Sequence, residues 1–259
     1  MKKRTKIFVC LILIISLLLP STLALAAPVQ TDQANKMMEE IVITTLSDSI
    51  AMIEQDLSEK GMTVSDGLQM FISKLESDMA IAESRADKEQ LQQLIIATQE
   101  MQAEFDTYKK SQDSSKSPIY AAAITAIVAW FGTMQYWLSA ECLTHAKNNK
   151  VLDSQYIPAF GNVVNSSPVW AKIQKTSALW GTDTFPNSGN YQNKDLYYAI
   201  HLFSWTKPTG NSTRVTLNDR YDFALNDKYS GLAGTAVNIC YLAQLSGYLT
   251  PFKIKITSG

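Results

Sequence analysis

Apolar residues in the first part of the chain recur at helical spacing. Ile43, Leu46, Ile50, Ile53 and Leu57 are separated by 3, 4, 3 and 4 positions, the narrow seam of a helix that lies along a partner. The pattern predicts a long helix from Thr31 to about Lys60, closed by Gly61 just past its last turn. A second stripe, Leu68, Phe71, Leu75, Met79, Ala82 and Ala86, slips register near Asp87-Lys88-Glu89 and resumes at Leu91, Ile95, Met101, Phe105 and Tyr108. Unbroken, a helix from Asp66 to Tyr108 would exceed roughly 60 Å at about 1.5 Å per residue, so a kink or break is expected at the slip. The short connection 62–66 predicts that the helices fold back as an antiparallel, coiled-coil-like hairpin. That hairpin has little core of its own, so it docks on the rest of the chain or self-associates.

The pattern then changes. From Ile119 to Ala140 no residue is charged, and the same helical texture continues through Glu141 to His145 as far as Lys150. Ser117-Pro118 is an N-cap hydroxyl followed by proline at the first helical position. About 20 apolar residues suffice to cross a bilayer, so an inserting, toxin-like segment is one reading. The soluble-type cap, the polar edge of Thr133, Gln135 and Ser139, and the late arrival of Lys147 and Lys150 favour the other, a central helix buried in folded protein.

Beyond it, Ser167-Pro168 opens a short helix through Trp170 and Ile173. Residues 181–193 are rich in Gly, Asn, Thr and Pro and read as a loop. Leu196 to Phe203 is apolar at both parities, the signature of a long central strand. After the turn Pro208-Thr209-Gly210-Asn211, a second strand begins at Arg214 to Leu217. Residues 231–247 predict a helix burying Leu232, Val237, Cys240 or Tyr241, and Leu245. Phe252, Ile254 and Ile256 alternate with Lys253, Lys255 and Thr257 as a one-sided terminal strand. The expected class is α+β: a long helical hairpin, then a small mostly antiparallel sheet covered by the central apolar helix and a second helix.

The ends and the charge sharpen this outline. Lys2, Lys3, Arg4 and Lys6 precede an apolar run from Ile7 to Leu19, and Ala24 and Ala26 fit a cleavage site, so residues 1–26 read as a secretory signal of Gram-positive type. Residues 27–116 then form an acidic helical segment with linker, and 117–259 an aromatic domain. The first carries 8 basic and 17 acidic residues, the second 11 and 7. All five tryptophans lie in the second. No basic run appears in the mature chain, which argues against nucleic acid. An exported, mildly cationic and aromatic domain suits a cell-wall polymer, a carbohydrate, a lipid headgroup or a protein partner. Cys142 and Cys240 survive export and form either one disulfide or two buried thiols.

Candidate chemistry is sparse. Glu141 and His145 are four apart and share a helix face, as a base and its orienting carboxylate or as a surface ion pair. His201 falls in the aromatic strand, as a core or sheet-face residue. The densest polar cluster is Asn218-Asp219-Arg220-Tyr221-Asp222, followed by Asn226-Asp227. Tyr221, Asp219, Asp222 and Asp227 are its candidate binding residues, and Asp222 could join Glu141 and His145 in a hydrolase. The spacing departs from the EF-hand loop, and no nucleophile elbow, zincin helix or phosphate loop is present. No metal or cofactor is expected. The leading expectation is a secreted, non-catalytic binding protein; a membrane-active effector and an extracellular hydrolase follow.

Overall fold

The computed structural model describes residues 28–111, 116–224 and 231–258; the expected signal segment 1–26, Asn226, Asp227 and Ser230 lie outside them. The chain divides into two compact units, one ending at Leu46 and the other running from Ser47 to Gly259. The first is the opening of helix α1 (Pro28–Glu59), where Thr44 and Thr45 hydroxyls bond back to the carbonyls of Glu40 and Ile41. The second holds the rest of α1 and every later element.

In it the seam of α1 is buried as the spacing predicts: Ile50, Ile53 and Leu57 are at most 3% exposed. The Met62 N–H reaches back to the Leu57 carbonyl, and Gly61 takes φ +70°, the left-handed turn only glycine adopts freely. Thr63 then opens α2 (Val64–Ile81) with a reciprocal Thr63–Asp66 capping box. The expected break comes slightly earlier than the register slip. Ala82 is extended, and the Ser84 hydroxyl accepts from the Asp87 N–H to start α3 (Arg85–Ser111). Over the described residues to Ser111 the acidic segment thus forms three helices.

The uncharged run forms α4 (Lys116–Thr133), buried nearly all round. Ile119 and every residue from Ala122 to Ala129 is completely inaccessible. It packs between α2 and α3. At the α2 crossing the backbones touch: a Cβ on Gly67 would lie 2.3 Å from the Ala129 carbonyl oxygen, and one on Gly132 would lie 2.2 Å from that of Gly67. Among the described residues no helix is long and apolar enough to cross a membrane.

A single helix to Lys150 does not form. Gln135 turns left-handed at φ +59°, the Tyr136 N–H bonds to the Phe131 carbonyl, and the two rings meet at 6.3 Å. This closes α4 as a Schellman turn, and α5 (Trp137–Asn148) starts afresh.

The sheet has five strands in the order β1-β5-β4-β3-β2: β1 (Gln155–Tyr156), β2 (Trp180–Thr184), β3 (Leu202–Thr206), β4 (Val215–Tyr221) and β5 (Phe252–Ser258). Only β1 and β5 run parallel. The terminal strand alternates as predicted, with Phe252, Ile254 and Ile256 buried. Two expectations fail nearby. Residues 191–199 are helix α7 (Tyr191–Ala199), because Asn190 caps the Asn193 N–H and the buried residues Asp195, Leu196 and Ala199 share one helical face. The strand starts only after His201, which sits at φ +43°. The predicted loop also contains β2, paired along its length with β3.

The 3₁₀ helix Ala159–Ser166 and α5 lie on the core face; His145 of α5 meets Phe252 edge-on at 4.6 Å. Helix α6 (Pro168–Lys175) begins at the Ser167 cap. Helix α8 (Gly231–Leu245) buries Thr235, Ala236, Ile239, Cys240, Leu242 and Ala243; Leu245, expected inside, is 61% exposed.

A cleft between two helix N-termini

Among the described residues, two helix starts in this unit lack a capping side chain of their own. Tyr136 precedes α5 and Pro158 precedes the 3₁₀ helix, and neither side chain accepts from the backbone. Their first N–H groups need acceptors. Carboxylates from elsewhere supply them.

Asp195 on α7 caps α5. Its oxygens accept from the Leu138 N–H at 3.0 Å, the Ser139 N–H at 2.8 Å and the Ser139 hydroxyl at 2.7 Å. Glu141 caps the 3₁₀ helix: Oε1 accepts from the Ala159 N–H at 2.6 Å and the Tyr156 hydroxyl at 2.7 Å, and Oε2 from the Phe160 N–H at 2.9 Å. The Gln90 amide of α3 reaches Glu141 Oε1 at 3.4 Å and the Ile157 carbonyl at 2.9 Å. Both carboxylates are buried. Burial pushes each pKa up to about 7, against the pull of these donors.

His145 shares the helix face of Glu141, as its spacing requires, but no hydrogen bond joins them. Its ring stacks on Tyr156 at 3.7 Å, and its Nε2 has no partner among the described residues. Burial lowers its pKa to about 4, so at neutral pH the imidazole is uncharged. Glu141 and His145 each touch Tyr156 instead of each other, and the oxygens of Glu141 are occupied by structural donors. This is neither a surface ion pair nor a base poised towards solvent.

The polar cluster on β4 separates onto two faces. Arg220 reaches Asp153 at 2.7 Å and also binds Asp222, tying the strand end to the loop before β1. Tyr221 is buried against Phe252 and Phe223. Asp219 has the parity of the buried residues Leu217 and Tyr221, and burial raises its pKa to about 8. Asp227 lies outside the described residues. Among those described, no group of three or more His, Cys, Asp or Glu is placed to hold a metal ion. Asp222 is not brought to Glu141 and His145 by any contact. Cys142 and Cys240 are both buried free thiols, with pKa values raised by burial.

A cleft of about 710 Å³ lies where both capped N-termini end. Its walls come from α2, α3, α7, the 3₁₀ helix and the start of α5. Trp137, Phe160 and Tyr191 supply aromatic surface, and Gln90, Gln135, Asn162 and Gln192 supply amides. Trp137 is held parallel to Phe71 beneath it, 6.4 Å away. Lys74 and Asp78 on the wall pair with each other.

Known proteins offer no guide to it. No family model, curated protein or solved structure matches this chain.

Asp195, Gln90 and the aromatic walls are absent from the sequence-derived candidates. The available signal was indirect: Tyr136 and Pro158 are poor caps, so each helix start demanded a distant acceptor.

Proposed function

We propose that the protein is an exported, non-catalytic binding protein that holds a neutral, hydroxyl-rich ligand of saccharide type in this cleft. The observation that carries the reading is the state of the cleft's charges. A helix N-terminus attracts anions, yet the N–H groups of both N-termini here are already occupied by the Asp195 and Glu141 carboxyl oxygens. Lys74 is paired as well. What is left for a ligand is aromatic surface beside side-chain amides and the Asp87 carboxylate, a combination that stacks on apolar ring faces, exchanges hydrogen bonds with hydroxyls and repels anions. Export rests on the leader-like first 26 residues, and a cell-surface glycan is the ligand available there.

Titration calorimetry with neutral oligosaccharides released from cell wall tests this. Saturable binding is expected, weakened at least tenfold (about 1.4 kcal/mol) by Tyr191→Ala combined with Gln192→Ala, with the melting curve unchanged. Absence of heat with every such oligosaccharide, or equal binding by the double variant, would overturn the reading.

A further inference from the structure

The sheet has a second face. Along β2, β3, β4 and β5 the residues alternate, and those of one parity turn away from the core and are exposed or half-buried. The register aligns them in transverse rows. Gln155, Lys253 and Arg220 form the first, and Lys255, Asn218, Ser204 and Thr182 the second. The third runs from Thr257 through Thr216 and Thr206 to Trp180, which is 76% exposed. A shallow depression of about 450 Å³ lies over the first two rows.

The charges on this face are of one sign where they are free. Asp153 and Asp222 both bind Arg220 and neutralise it. Lys253 and Lys255 have no carboxylate partner among the described residues. They stand two positions apart on one strand, about 7 Å; around them lie hydroxyls, amides and the paired Arg220, with the Asp219 carboxyl at the floor on the inward parity of β4. From the arrangement of these lysines along an exposed, hydroxyl-lined sheet face, we propose a second binding site, a track for a linear polyanion of the phosphodiester-linked polyol type.

The pattern selects this occupant over two others. A membrane surface needs contiguous apolar anchors, whereas Leu202 and Trp180 stand at opposite ends of β3 and β2. A single-stranded nucleic acid needs aromatic platforms beside its cationic groove, and Trp180 lies in the third row, away from both lysines. The acidic helices, with 17 acidic against 8 basic residues over 27–116, would repel a polyanion and leave the sheet face as its landing place.

The test uses the full chain and linear poly(glycerol phosphate) in a retardation or calorimetric assay at low and moderate salt. Binding is expected to weaken as salt rises. Lys253→Gln with Lys255→Gln is expected to lower affinity by about tenfold. The charge-matched pair Lys88→Gln with Lys110→Gln, on the exposed side of α3, is expected to leave it unchanged. Tyr191→Ala, in the cleft, leaves polymer binding intact, so failure of the saccharide reading and failure of this one are distinguishable. Equal losses in the two lysine pairs, no loss in either, or tighter binding to phosphatidylglycerol vesicles or to a single-stranded oligonucleotide would overturn the proposal.

Discussion

Lys207 shows what a single side chain contributes here. It is 6% exposed, and its ammonium donates to three backbone carbonyls: Gln174 at 3.0 Å, Thr176 at 2.5 Å and Gly210 at 3.0 Å. Two of these lie at the C-terminal end of α6, where unpaired carbonyls and the helix dipole favour a cation. No carboxylate takes part. Lys207→Met keeps the stem's packing and removes the three bonds, leaving buried carbonyls without a donor. We expect a loss of about 2–4 kcal/mol in denaturant unfolding, given about 1.5–3 kcal/mol for hydrogen bonds to charged groups. Lys207→Arg is expected to rescue little, because a planar fork does not reproduce three converging donations.

Elements meet in this unit through their ends. The break between α4 and α5 places Trp137 in the cleft wall and exposes the N-terminus that Asp195 caps. That break depends on Gln135 at φ +59°, a conformation that costs a side-chain-bearing residue roughly 1 kcal/mol and glycine almost nothing. Gln135→Gly is therefore expected to stabilise the fold by about 0.5–1 kcal/mol, read as a raised melting temperature. A helix continuous through 135 would instead be weakened by glycine, so a lowered melting temperature would contradict the break. The slip near residue 87 and the break at 82–84 illustrate the limit of periodicity: a stripe shows that two helices are out of register, but the cap, Ser84, decides where one ends.

Over the whole molecule the buried acids set the response to pH. Glu141 and Asp195 have pKa values near 7 and Asp219 near 8 in the folded chain, against ordinary values of 4.5 and 3.8. The folded state therefore holds protons that the unfolded state has released, so this stabilisation is complete below about pH 4 and is lost as pH rises through 7 to 8. His145 acts oppositely: lowered from 6.5 to about 4, it contributes stability above pH 6.5 that is lost as pH falls through 4. Three acids outweigh one imidazole between these limits. Thermal unfolding is expected at a higher temperature at pH 5 than at pH 8, and Asp219→Asn is expected to reduce that difference. A melting temperature that rises from pH 5 to pH 8 would contradict this account.

Much of the outline was legible in the letters, because helix seams, caps and one-sided strands are local patterns. The spacing from Leu46 to Leu57, the glycine at 61, the Ser167-Pro168 start, the alternation from Phe252 to Ile256 and the burial of the uncharged run all follow from neighbours within a few positions. The mixture of helices with a small, mostly antiparallel sheet follows from those elements. What only the tertiary structure decided is where non-local partners meet. Residues 196–203 are apolar at both parities, a text that a helix or a strand satisfies equally, and Asp195 became a cap only because α5 arrived beside it. Glu141 looked like half of a catalytic pair for the same reason: its spacing to His145 is visible along the helix, whereas the Ala159 and Phe160 amides that consume its charge leave no mark in the sequence.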